Sequence, residues 1–173
     1  GNTAGNHWST TVVLVNRTST AQNVQLTFHQ RLADGSGGTA PWTPAFLENV
    51  SLNSISIPAG SALFLHTPGT AAFVEGWGEL NGSTGVTGYA IFTQYLDNGN
   101  QDATAPAVPA SNRILVPFDN TSGLVSAFAI VNPTASAENV QVNIRTSDGT
   151  VTSTSLPTLP AGGHRSFLMA QQF

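Results

Sequence analysis

Trp77 stands between two glutamates, Glu75 and Glu79, in the run Phe73-Val-Glu-Gly-Trp-Gly-Glu-Leu80. On an extended strand, side chains alternate, so Glu75, Trp77 and Glu79 fall on one face and Val74, Gly76, Gly78 and Leu80 on the other. The two carboxylates are then about 13 Å apart, at about 3.3 Å per residue. A glycosidase pair needs roughly 5 to 9.5 Å, so these two alone do not make one. An exposed Trp between carboxylates suits a different chemistry. It stacks on the apolar face of a sugar ring while the carboxylates accept hydroxyl protons. Tyr89 and Tyr95 share a face of the following strand with Thr87 and Thr93. Trp77, Tyr89, Tyr95, Glu75 and Glu79 are therefore the candidate carbohydrate-binding residues. The competing reading is that Trp77 covers the opposite sheet or an interface.

The remaining chemistry-bearing residues form no constellation. His7, His29, His66 and His164 show neither His-x-His nor His-Glu-x-x-His spacing. There is no Gly-x-Ser-x-Gly elbow for a serine nucleophile. Asp97-Asn-Gly-Asn-Gln-Asp102 offers oxygen ligands in a loop, but lacks the glycine position and distal Glu of an EF-hand. With no cysteine there is no disulfide, thiolate or Cys-type zinc site. The expectation is a non-catalytic protein with no metal and no cofactor. Net charge is -4, from five Arg, no Lys and nine acidic residues, so no basic surface exists to track phosphates and nucleic acid is not an expected partner. No apolar run approaches the roughly 18 residues of a spanning helix. Four Asn-x-Ser/Thr sequons, at Asn16, Asn49, Asn81 and Asn120, are about what a chain with 51 Asn, Ser and Thr among 173 residues yields by chance.

The elements that must position these residues come from an internal repeat. Val15-Asn-Arg-Thr-Ser-Thr-Ala-Gln-Asn-Val-Gln25 matches Val131-Asn-Pro-Thr-Ala-Ser-Ala-Glu-Asn-Val-Gln141 at seven of eleven positions without a gap. Ile57-Pro-Ala-Gly60 answers Leu159-Pro-Ala-Gly162. The offset falls from 116 to 102, so the first copy carries about 14 extra residues, placed within 32–48, where Gly and Pro mark a long loop. Val24, Leu26 and Phe28 alternate with polar residues, as do Val140, Val142 and Ile144. That is the period of a half-buried strand. Ser147-Asp-Gly-Thr150 reads as a tight hairpin with a primed turn. No window carries a capped 3.6-residue period. The chain reads as all-β, with about eleven short strands in two tandem immunoglobulin-like β-sandwich repeats.

The first repeat is expected over 1–102, a Pro- and Ala-rich connector over 103–112 and the second repeat over 113–173. After Leu159-Pro-Ala-Gly162 the second copy lacks the two strands that follow Pro58-Ala-Gly60 in the first. The first copy lacks the strand that Arg113-Ile-Leu-Val-Pro-Phe118 supplies to the second. Either the chain is a piece of a longer protein or neighbouring strands fill those places. Unfilled edges pair readily, because their N–H and C=O groups lack partners. Ile114, Val116 and Phe118 are the candidate strand-sharing residues, whose alternate side chains would fill a neighbour's groove.

Several motifs carry a resemblance: Trp8-Ser-Thr-Thr-Val-Val-Leu-Val-Asn16, Pro58-Ala-Gly-Ser61, Gly76-Trp-Gly-Glu-Leu80 with Val86-Thr-Gly-Tyr-Ala-Ile-Phe92, Val116-Pro-Phe-Asp-Asn120, Ala129-Ile-Val-Asn-Pro133 and Leu159-Pro-Ala-Gly-Gly-His164. Their order resembles a repeat of large secreted bacterial surface proteins that also carry immunoglobulin- or fibronectin-like modules. The resemblance implies an extracellular sandwich that is part of a surface or matrix protein, and no catalytic residues. The functional expectation is a structural or assembly module, a surface or filament subunit that associates with itself or with neighbouring domains. The alternative is a carbohydrate-binding or adhesin module with polysaccharide as partner.

Overall fold

The computed structural model describes residues 2–3 and 6–173, with side chains from His7 onward. Among these residues the protein is all-β, with several antiparallel sheets and one short helical turn. The chain divides into two units. One runs to His29 and resumes over Pro41–Pro109; the other joins Gln30–Ala40 to Ala110–Phe173.

The first nine strands are β1 (Asn2–Thr3), β2 (Asn6–Asn16), β3 (Gln22–Arg31), β4 (Thr39–Trp42), β5 (Ile55–Ile57), β6 (Ala62–His66), β7 (Gly76–Gly82), β8 (Val86–Leu96) and β9 (Gly99–Pro106). One sheet has β2 at its centre, with β6 on one edge and β8 then β9 on the other, and β1 folding back on the start of β2. The second sheet is built on β3, which pairs with β4, β5 and β7. Leu14, Leu65 and Val86 from the first sheet meet Val24, Leu26, Ile55 and Ile57 from the second, and Phe28, Phe46 and Leu80 pack around them. Period-two alternation thus does what it promised, turning one face of each sheet inward.

Two glycines mark places where the packing between strands is tight. A Cβ on Gly78 would fall 2.8 Å from the Phe28 ring. One on Gly88 would run into the Val13 carbonyl oxygen. The glycine that follows Trp77 therefore has a packing cause in Phe28.

The second unit contains β10 (Ala127–Val131), β11 (Gln141–Arg145), β12 (Val151–Ser155), β13 (His164–Leu168) and the turn α1 (Met169–Gln172). β10 pairs with β13, and β11 with β12. The repeat read from the sequence is also a repeat of register. Thr11↔His66 through Val15↔Ala62 becomes Ala127↔Leu168 through Val131↔His164, pair for pair at the same two offsets. Gln22↔Ile57 becomes the bridge Glu138↔Leu159.

Three local expectations change. The hairpin between β11 and β12 is longer than a primed two-residue turn. Its last pair is Arg145↔Val151, and of its residues only Gly149 has positive φ. The Asp148 carboxylate accepts hydrogen bonds from Thr146 Oγ1 and the Thr150 N–H, which fixes the wider turn. Residues 103–106, expected in the connector, continue β9 and pair with Phe92 to Tyr89. Pro106 is tolerated there because β9 is an edge strand, where a missing N–H breaks no ladder. Within 32–48, the expected long loop includes the strand β4.

Candidate functional site

Asn16 ends β2 and is 1% exposed. Its Nδ2 donates to the carbonyls of Thr20, Ile57 and Pro58, while its Oδ1 accepts from the N–H and Oγ1 of Thr18. Asn132 ends β10 and is 4% exposed. Its Nδ2 donates to Ser136, Leu159 and Pro160, and its Oδ1 accepts from the N–H and Oγ1 of Thr134. Each amide ties the Asn-x-Thr turn to the Pro-Ala-Gly turn of its own copy. Gly60 and Gly162 close the two turns at φ 63° and 64°, a conformation that favours glycine. Both Asn residues are architectural. The sequon at Asn16 is buried, so its amide is not free to carry a glycan.

The copies differ at the far edge of this strand. Asn16 N–H bonds Ser61 on the β6 side and Arg17 N–H bonds Gly85 on the β8 side. Backbone groups therefore alternate between the two neighbours. In the second unit Asn132 N–H bonds Gly163 on the β13 side. The same alternation turns Ala127, Ala129 and Val131 toward the edge that β8 covers in the first unit. No strand pairs with that edge among the described residues. Ile114, Val116 and Phe118 lie in the irregular stretch between β9 and β10 rather than in a strand. Ile114 is 63% exposed, and Leu115, on the opposite phase, is 96% exposed.

The structure separates the expected carbohydrate residues. Trp77 is on β7, in the sheet built on β3, whereas Tyr89 and Tyr95 are on β8, in the sheet built on β2. Trp77, Tyr89 and Tyr95 therefore form no common platform. The chain crosses between sheets at Ser83–Gly85, and a period-two pattern records which face a residue is on, not which sheet. Glu75 precedes β7 and so lies outside the strand that carries Trp77 and Glu79. Trp77 stacks on His29 of β3, ring centroids 4.4 Å apart and planes 13° from parallel.

The outer face of the β2 sheet carries a second group, most of which the sequence reading missed. Tyr89 is flanked across Val13 by Phe64, since Val13 pairs with both. Toward the other end, Tyr95 pairs with His7, whose ring meets it edge-on at 4.9 Å. Ser9 Oγ and Tyr95 Oη lie 3.2 Å apart. Thr93 Oγ1 donates to Asp102 on β9 at 2.6 Å. On β6, His66 faces Glu48: Nδ1 is 2.6 Å from Oε1, and the His66 N–H donates to Oε2 at 2.7 Å. The bond from the His66 side chain, then that from its backbone, holds the Glu48 carboxyl below its ordinary range. A cleft of about 370 Å³ opens between Tyr95 and His66, walled by Ser9, Thr11, Thr67 and Thr93. The signal for this group was register: His66 and Tyr95 gain meaning only when β6 and β8 are known to flank β2.

No group of three or more metal-ligating side chains gathers among the described residues. Asp97 and Asn98 form the tip of the β8–β9 hairpin, between Leu96 and Gly99. No helix among the described residues is long and apolar enough to cross a membrane.

These features define an all-β protein with a sandwich-like first unit and a register-matched second one. Comparison with known proteins adds no relative: no family model, no curated protein and no solved structure matches the chain.

Proposed function

We propose that the chain is a non-catalytic structural module of an extracellular surface or filament protein. It comprises two tandem immunoglobulin-like repeats and assembles by strand pairing. The observation that carries this reading is the outer edge of β10. β10 matches β2 in its register with the adjoining strand, yet among the described residues it has no counterpart to β8. A free edge beside exposed apolar side chains is a template for another strand. The segment that takes this edge is Arg113–Phe118 of a second copy, which is irregular in the single chain and becomes extended on pairing, with Ile114, Val116 and Phe118 on one face. A head-to-tail contact whose rotation does not close gives filaments. The order of sequence motifs, which resembles modules of secreted bacterial surface proteins, supports the location and the partner class.

Light scattering after size exclusion, with negative-stain microscopy, tests the reading. The wild-type chain is expected to form concentration-dependent oligomers. Ala129→Pro removes an N–H from the free edge and leaves the bonds to β13 in place, so it is expected to yield monomers, as is Val116→Asp on the donor strand. A chain that stays monomeric at all concentrations overturns the proposal.

A further inference from the structure

We infer that the cleft between Tyr95 and His66 on the outer face of the β2 sheet is a binding site for a neutral polysaccharide. The inference is independent of strand pairing, since it uses only residues of the first unit.

The polar groups of the cleft have complementary hydrogen-bonding roles left to fill. Thr67 Oγ1 accepts from the Thr10 N–H, which leaves its own proton to donate. Thr93 gives its proton to Asp102, which leaves its oxygen to accept. The contact with Glu48 uses His66 Nδ1, which leaves Nε2 for a ligand hydroxyl. A wall that both donates and accepts at short spacing matches sugar hydroxyls, which do both. Tyr95, 40% exposed, supplies the aromatic surface on which the apolar face of a pyranose rests. The volume is near the lower end of ordinary ligand sites, which begin at about 300 Å³.

Charge selects the ligand class. None of the five arginines lines the cleft, and the chain has no lysine. The carboxylates at its margin, Glu48 and Asp102, are engaged by His66 and Thr93. Phosphates, sulfated glycans and uronic acids would meet no Lys or Arg side chain here. Length is set by the second aromatic group. Tyr89 and Tyr95 are six residues apart on the same face of β8, about 20 Å along the strand. Phe64 and Tyr89 continue the apolar surface beyond the cleft, so the site takes an oligosaccharide stretch rather than one sugar. Because β8 pairs with β2 from His7 to Asn16 and β6 pairs with it from Thr11 to Val15, these side chains sit on a preorganised frame.

Affinity gel electrophoresis of the full chain tests the site, with hydroxyethylcellulose, mixed-linkage β-glucan, xylan and galactomannan as neutral probes and polygalacturonate as the acidic one. Retardation by at least one neutral polymer is expected, with none by polygalacturonate. Tyr95→Ala should weaken binding roughly tenfold, the scale of one aromatic contact. Tyr89→Ala should weaken it less, and Trp77→Ala, in the other sheet, should leave it unchanged. Tyr95→Leu, which keeps an apolar side chain on the strand, is the second variant should Tyr95→Ala fail to fold. No retardation by any neutral probe overturns the inference. So does stronger binding of polygalacturonate, or binding that survives in a folded Tyr95 variant.

Discussion

Asn16 and Asn132 make the same five hydrogen bonds, 116 residues apart, each clamping an Asn-x-Thr turn to a Pro-Ala-Gly turn. A buried amide is costly unless every polar atom is satisfied, and here both are. The sequence identity between the copies is concentrated where this network needs it.

Truncating either amide strands buried carbonyls and a Thr N–H. Asn16→Ala is expected to destabilise the first unit by about 2–4 kcal/mol, the cost of leaving such groups unpaired. Asn132→Ala should do the same to the second unit. Urea unfolding of each variant measures this, and a loss under about 1 kcal/mol would show that water replaces the amide freely.

Gly88 faces Leu14 across the β2–β8 ladder, and a methyl group there meets the Val13 carbonyl. Gly88→Ala should cost about 1–3 kcal/mol through overpacking. Thr87→Ala, on the exposed phase next to it, should stay within about 0.5 kcal/mol of wild type. Equal midpoints for the two variants would contradict the close approach.

The Glu48–His66 contact has a pH signature. Glu48 titrates below the ordinary 4.5 because His66 donates to it from both side chain and backbone. A depressed carboxylate contributes stability above its unfolded pKa and loses it as pH falls through the folded value. Carbon-detected NMR titration should find the Glu48 midpoint below 4.5, and His66→Ala should move it back toward that value. A midpoint already ordinary in the wild type would remove the contact from solution.

The units should unfold separately. The core cluster of Leu14, Val24, Leu26, Ile55, Ile57, Leu65 and Val86 lies wholly in the first. The buried apolar side chains of the second, among the described residues, are Leu156, Leu159 and Met169. Two urea transitions are expected, with the second unit melting first. If copies pair along β10, that first transition rises with protein concentration. Hydrogen exchange at Ala129 should slow in parallel, because its N–H is among those the partner strand would take. A single concentration-independent transition would contradict both statements.

Much of this was legible in one dimension. Period-two alternation around Val24, Leu26 and Phe28 marks the buried face of a strand, and a gapless match at Val15–Gln25 and Val131–Gln141 marks a repeated turn. Both are local properties of the backbone. Trp77, Tyr89 and Tyr95 show where that reading stops. Phase on a strand cannot tell two sheets apart, and the crossover before Val86 put Trp77 on one sheet and the tyrosines on the other. Likewise Ser9, His66, Thr67 and Tyr95 are scattered over 87 residues, and only the pairing of β6 and β8 with β2 makes them neighbours. The sequence by itself determined the strand character, the repeat and the scarcity of charge. The tertiary structure alone decided which strands lie side by side. That choice is made by cooperative burial of the shared core, and no short stretch of chain encodes it.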